Sequence, residues 1–215
     1  HENNNRSVEV STDNSKRDDE FLLDVFDFRM TEMKYVNEIK SQEVIKAKEV
    51  QFELVKDITE FKMRFMSYTH ELFEGFNWNN VCVAGGSVVR CLLKHSDITE
   101  GTDVDLFIYG LDKQQSLDKI VQIYNFMHAK SEDTIFWIRT ANALTLCVNS
   151  YLYKNVQIVL RMYKDVSDIL TTFDLDSCCA AFNGSRVLIT PRFSHAIKYQ
   201  TNVVDPKRQS GTYEL

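Results

Sequence analysis

No apolar run in this chain approaches the ~20 residues of a membrane-spanning helix, and no secretory signal pattern stands at its start. A soluble, intracellular protein is therefore expected. There is no C-x-x-C pair and no Cys/His spacing of the zinc type, so no zinc site is assigned. The cysteines are five, an odd number, and four of them (Cys82, Cys91, Cys147 and Cys179) sit in apolar runs. That argues against a disulfide framework and for a reducing compartment. Excess positive charge is also missing: the net charge is −6, which disfavours general attraction to a nucleic-acid backbone. What the chain does have is 44% hydrophobic and 12% aromatic residues over 215 positions, enough for one large domain with an appendage. The ends, HENNN and Tyr213-Glu214-Leu215, read as cuts from something longer.

Residues 1–19 are polar and aperiodic, a tail by composition. From Glu20 to Phe76 proline is absent and Gly75 is the first glycine. Val44, Ala47, Leu54, Ile58, Phe61, Phe65, Tyr68 and Leu72 follow a three-four spacing interrupted at Gln51. This predicts a long helical segment over 20–76, continuous or broken near Asn37 to Gln42, whose stripe packs on the following domain or pairs with a second chain. That second chain would make the segment a self-association element.

Residues 77–215 form the expected main domain. Val81 to Gly110 organises it, reading VCVAGGSVVRCLLKHSDITEGTDVDLFIYG. A strand over Val81 to Ala84 runs into Gly85-Gly86-Ser87, a turn whose backbone N–H groups and following helix suit a phosphate. Arg90 and Lys94 stand on a polar face of that helix. Asp103 and Asp105, at i and i+2 on the next strand, put two carboxylates on one face, as Mg²⁺ or Mn²⁺ binding requires. A helix over Ser116 to Lys130 and strands at Ile135 to Ile138, Ala143 to Val148 and Val156 to Met162 follow. Turns are expected at Asn149-Ser150 and Lys154-Asn155, and a capped helix at Asp165 to Leu170. Phe173 to Phe182 is read as one strand carrying a second aspartate pair, Asp174 and Asp176, joined by Asn183-Gly184 to a strand over Arg186 to Thr190. A short helix is expected near His195 to Tyr199. The fold class is thus α+β, a mixed sheet flanked by helices.

The order strand, Gly-Gly-Ser, helix, loop, Asp-Val-Asp on a strand resembles the polymerase-β-like nucleotidyltransferase superfamily. More of the chain, about residues 80 to 215, is similar to an uncharacterised nucleotidyltransferase-like module found beside ankyrin repeats in fungal and large-DNA-virus proteins. The motifs that carry this are GGSVVRCLL, DVDLFIYG, NVQIVLRMY, FDLDSCCAAFNGSRV, Pro191-Arg192, TNVVD and RQSGTYEL. The resemblance implies transfer of a nucleotide from an NTP to a hydroxyl on a protein, nucleic acid or small molecule. Gly85, Gly86, Ser87 and Arg90 would then bind the nucleotide. Asp103 and Asp105 would hold two metal ions, with Asp174 or Asp176 as third carboxylate; the first is preferred, and alternation leaves both open. Gln157 stands where related transferases carry an acid. The other reading is an inactive scaffold of the same fold used for protein interaction. His95, Arg161, Arg186 and Arg192 are further candidates for substrate contact, against surface roles as the default.

Overall fold

The computed structural model describes residues 22–27, 53–99, 101, 103–130, 135–148 and 154–202. Its elements in chain order are β1 (Leu23–Asp24), α1 (Ile58–Tyr68), β2 (Val81–Ala84), α2 (Gly86–Leu92), β3 (Val104–Tyr109), α3 (Lys113–Lys130), β4 (Ile135–Arg139), β5 (Ala143–Val148) and β6 (Val156–Tyr163). Then come α4 (Val166–Thr171), a 3₁₀ turn (Asp176–Cys178), β7 (Ala180–Phe182), β8 (Val187–Ile189) and α5 (Pro191–Tyr199). The strands form one sheet in the order β1-β8-β7-β2-β3-β6-β5-β4. Only β3 and β6 pair in parallel; every other neighbouring pair is antiparallel. The α+β expectation holds. No helix among the described residues is long and apolar enough to cross a membrane.

Strand alternation divides the core in two. Val81, Val83, Val104, Leu106, Ile108, Val156 and Ile158 point to one face, where α1, α2 and α3 cover them. Cys82, Ala84, Phe107 and Leu188 point to the other, where Leu22, Tyr163, Ile169 and Leu170 pack. Toward β4 this second face is open, and Phe136 and Ile138 are 52% and 56% exposed. All five cysteines are free thiols.

The long N-terminal helix is corrected. Leu54 makes an antiparallel bridge to Leu93, and the Val55 N–H donates to the Leu92 carbonyl at 2.9 Å. Asp57 is extended and caps α1 by accepting from the Glu60 N–H at 2.9 Å. Among the described residues the three-four pattern therefore includes Leu54 in an extended segment and becomes helical at Ile58. Upstream, Leu23 and Asp24 form a strand against β8, and the stretch 28–52 lies outside the described residues. Phe61, Phe65, Tyr68 and Leu72 are at most 3% exposed in the main core, so this part of the stripe is used by the chain's own domain. At roughly 1.5–3 kcal/mol for each large side chain buried, the stripe docks α1 firmly.

The reading of Phe173 to Phe182 as one strand is also corrected: only Ala180–Phe182 is strand, and Asp176–Cys178 is a 3₁₀ turn. The turn expected at Asn149-Ser150 lies outside the described residues. The hairpin at Asn183-Gly184 is present, with the Asn183 N–H donating to the Arg186 carbonyl and the Asn183 Oδ1 accepting from Ser185 and Arg186 N–H groups.

One cation that the sequence did not single out ties α1 to α2. Arg64 donates from Nε to the Cys91 carbonyl at 3.0 Å and from Nη2 to the carbonyls of Leu93 at 2.9 Å and Ser96 at 3.0 Å. These are carbonyls at and beyond the end of α2, where the negative end of the helix dipole lies. Arg64→Met is expected to cost about 2–3 kcal/mol in urea unfolding, because it removes charge-assisted bonds to groups that are partly buried. Arg64→Lys should recover only part of that loss, lacking the planar fork.

Candidate active site at the β2 turn and the start of β3

The antiparallel register of β2 and β3 sets Val83 level with Leu106, so one further step sets Ala84 level with Asp105. The Gly85-Gly86-Ser87 turn thus leaves β2 beside the first residues of β3. The two motifs, about sixteen residues apart in the chain, become neighbours for this reason. Gly85 has φ of +91° and caps α2 without a side chain. The positive φ favours glycine, and a Cβ there would stand a tight 3.1 Å from Phe173 Cε1. Ser87 is 2% exposed, and its hydroxyl has no hydrogen-bond partner among the described residues. A buried, unpaired hydroxyl is costly, and in a native protein calls for a ligand, a water or a function.

Asp103 accepts a hydrogen bond from Asn155 Nδ2 at 3.1 Å. Asp105 is partly buried on the face it shares with Phe107. Burial and, after it, the charge of Asp103 push its carboxyl up to about 6 from the ordinary 3.8. Two carboxylates in this state form a negative locus that a cation would relieve. Across the parallel ladder Asp105 is level with Gln157, and Gln157 is level with Thr145 of β5. An amide, rather than an acid, therefore flanks the pair on the β6 side.

The structure brings together Gly85, Gly86, Ser87, Asp103 and Asp105. It deals differently with the remaining candidates. Phe173 packs its ring 5.8 Å from that of Phe107 and lies against Gly85, which delivers Asp174 to the neighbourhood of the turn. Among the described residues, however, no three His, Cys, Asp or Glu side chains gather as a metal cage. Asp176 is 3% exposed and pairs with Arg192, Oδ1 to Nη1 at 2.8 Å. Arg90 donates to the Asp97 carbonyl at 2.6 Å. His95 meets Glu53 at 3.0 Å, and Lys94 pairs with the same carboxylate. Arg186 pairs with Asp24 at 2.7 Å, and Arg161 lies over the Tyr163 ring. Asn155 was missed by sequence reasoning. Its position immediately before β6, level with the residue preceding β3, was the available signal.

This geometry defines an α+β domain with a paired-carboxylate site at one edge of a glycine turn. The chain belongs to the Gabija anti-defense 2 family, whose model matches residues 59–199. The match starts within α1, earlier than the motif resemblance. An uncharacterized protein of Acanthamoeba polyphaga mimivirus is 30% identical over 176 residues, covering 75% of this chain and 38% of that protein. The chain thus spans well under half of the length of that relative. Solved structures of a CCA-adding enzyme are distantly similar: an apo form (TM-score 0.42, 12% identity) and a CTP complex (TM-score 0.39, 15% identity). Each likeness covers 72% of this chain and, respectively, 39% and 36% of the other. At these TM-scores no role is carried across.

Proposed function

We propose that this domain is a metal-dependent nucleotidyltransferase that moves a nucleotide from an NTP to a hydroxyl acceptor. The observation that carries the reading is Asp103 and Asp105 on one face at the start of β3, beside the Gly85-Gly86-Ser87 turn. The donor set fits Mg²⁺ or Mn²⁺, which take a small number of carboxylates and complete their shell with waters and phosphates. Asp103 and Asp105 would hold the metal, with the Gln157 side chain beside them and Asp174 as the candidate third carboxylate. When bound, the metal supplies a lowered pKa for the attacking hydroxyl and neutralisation of the triphosphate. The chain's own groups do the rest. Gly85 and Gly86 let backbone N–H groups approach the phosphates, the Ser87 hydroxyl donates to one of them, and Arg90 keeps further donors for the same charge. Asn155 holds the Asp103 carboxylate in place.

Incubation with labelled NTPs and Mg²⁺ or Mn²⁺ tests this. Wild type is expected to bind nucleotide with metal and to label an acceptor, and the Asp103→Asn/Asp105→Asn protein to do neither. Equal, negligible binding by both would remove the catalytic reading.

Two observations favour a second reading, a nucleotidyltransferase-like binder without transfer. Gln157 occupies the ladder position opposite Asp105, and the family description names counter-defence. On this reading the chain acts by binding a component of a host defence system. Unchanged counter-defence by the double Asp→Asn variant would favour it, and loss of counter-defence by that variant would favour catalysis.

A further inference from the structure

We infer that the nucleoside half of the NTP lies in a cleft between α2 and the C-terminal end of α5. This rests on the reading above and assigns the base and sugar to a place in the molecule. The cleft holds about 570 Å³, within the roughly 300–1,000 Å³ of small-molecule sites. One wall is the outer face of α2: Gly86, Val89, Arg90 and Leu93, spaced i, i+3, i+4, i+7. Gly86 belongs at once to the phosphate turn and to this wall, so the turn and the cleft share a residue. The facing wall is Ala196 and Ile197 of α5. Apolar side chains on both walls suit the two faces of a base.

Polar groups line the cleft as well, and Asn202 Oδ1 accepts from the Ser177 N–H at 2.9 Å. Arg90 spends one donor on the Asp97 carbonyl and has others at the rim. Gln200 and Asn202 line the far end. The other described clefts are less suited. One of about 320 Å³ lies between α3 and β6 and has no residue of the turn in its lining. Another, of about 170 Å³, is set among Phe65, Phe73 and Trp78 and is small for a nucleoside.

Two thiols allow a direct test on the unmodified chain. Cys178 lines the cleft, and Cys147 lies on β5 level with Phe136 of the open face; both are partly exposed, whereas Cys82, Cys91 and Cys179 are fully buried. Maleimide labelling, mapped by peptide mass spectrometry, is run with and without the nonhydrolysable ATP analogue AMPCPP and Mg²⁺. At about ten times its Kd the analogue should slow Cys178 labelling about tenfold and leave Cys147 unchanged. Ala196→Trp, which fills the cleft, should raise the Kd of the analogue about tenfold or more while Mn²⁺ binding at the Asp pair stays as in wild type. Analogue bound with Cys178 unprotected, or protection of Cys147 alone, overturns the inference and leaves the transferase reading standing. No binding of the analogue by wild type overturns both.

Discussion

Asp105→Asn should make the protein more stable at pH 7 and nearly abolish the proposed nucleotide transfer. Burial and the neighbouring Asp103 charge hold the Asp105 carboxyl near 6, above its ordinary 3.8. A carboxyl raised in the fold favours the folded state below its unfolded pKa, and that contribution is lost as pH climbs through about 6. At pH 7 the ionised group therefore opposes folding. The shift bounds the penalty at about 3 kcal/mol, and partial exposure reduces it to about 1–2 kcal/mol. Asparagine removes the charge while keeping the shape, so the variant's Tm should exceed that of wild type at pH 7 and converge with it toward pH 4. Mg²⁺ or Mn²⁺ should raise the Tm of wild type and leave the variant's unchanged, because the cation relieves a repulsion the variant lacks. Loss of transfer should be on the order of 10³-fold, the kinetic equivalent of the several kcal/mol that a positioned metal supplies. Melting curves with and without metal at pH 4, 6 and 7 check the stability half independently of any substrate. A variant less stable than wild type at pH 7 would contradict this account of the site.

Arg192→Met is expected to be the most damaging of the single changes to stability, costing about 3–5 kcal/mol, since it takes the paired cation away from Asp176 at a buried position. Asp176 is 3% exposed and pairs with Arg192 at 2.8 Å, while the same guanidinium donates to the Leu170 carbonyl at 2.5 Å. The pair joins the 3₁₀ turn to α5 and α4, locking the wall behind α2. Asp176→Asn should cost less, because the amide oxygen can still accept from Arg192. It should also leave Mn²⁺ affinity unchanged, since this carboxylate is already engaged by Arg192. A fall in Mn²⁺ affinity in Asp176→Asn, with the fold intact, would restore it as a metal ligand. Denaturant midpoints and Mn²⁺ titration by electron paramagnetic resonance separate these outcomes.

The two acidic pairs show how far local patterning reaches. Asp103-Val104-Asp105 could be placed on a strand because the apolar run after it, Leu106 to Ile108, reads as a buried centre. The same spacing in Asp174-Leu175-Asp176 was misread, because Phe173 and Cys178 to Phe182 are apolar on both sides while the segment between them turns. What decided that was Arg192, sixteen residues further on, drawing Asp176 inward. The helical stripe failed similarly at Leu54, just before the α1 cap. A three-four spacing is equally compatible with Leu54 and Val55 in an extended segment, once α2 presents the Leu92 carbonyl and Leu93 as partners.

By itself the sequence determined the paired carboxylates, the glycine turn, most strand and helix positions and the α+β class, because each depends on periodicity or on a residue's own conformational limits. Tertiary structure alone decided that the turn and the pair are neighbours, that Gln157 rather than an acid stands level with Asp105, and that Asp176 pairs with Arg192. Those facts depend on strand order and register, and on ion pairs between residues distant in the chain, neither of which local spacing encodes.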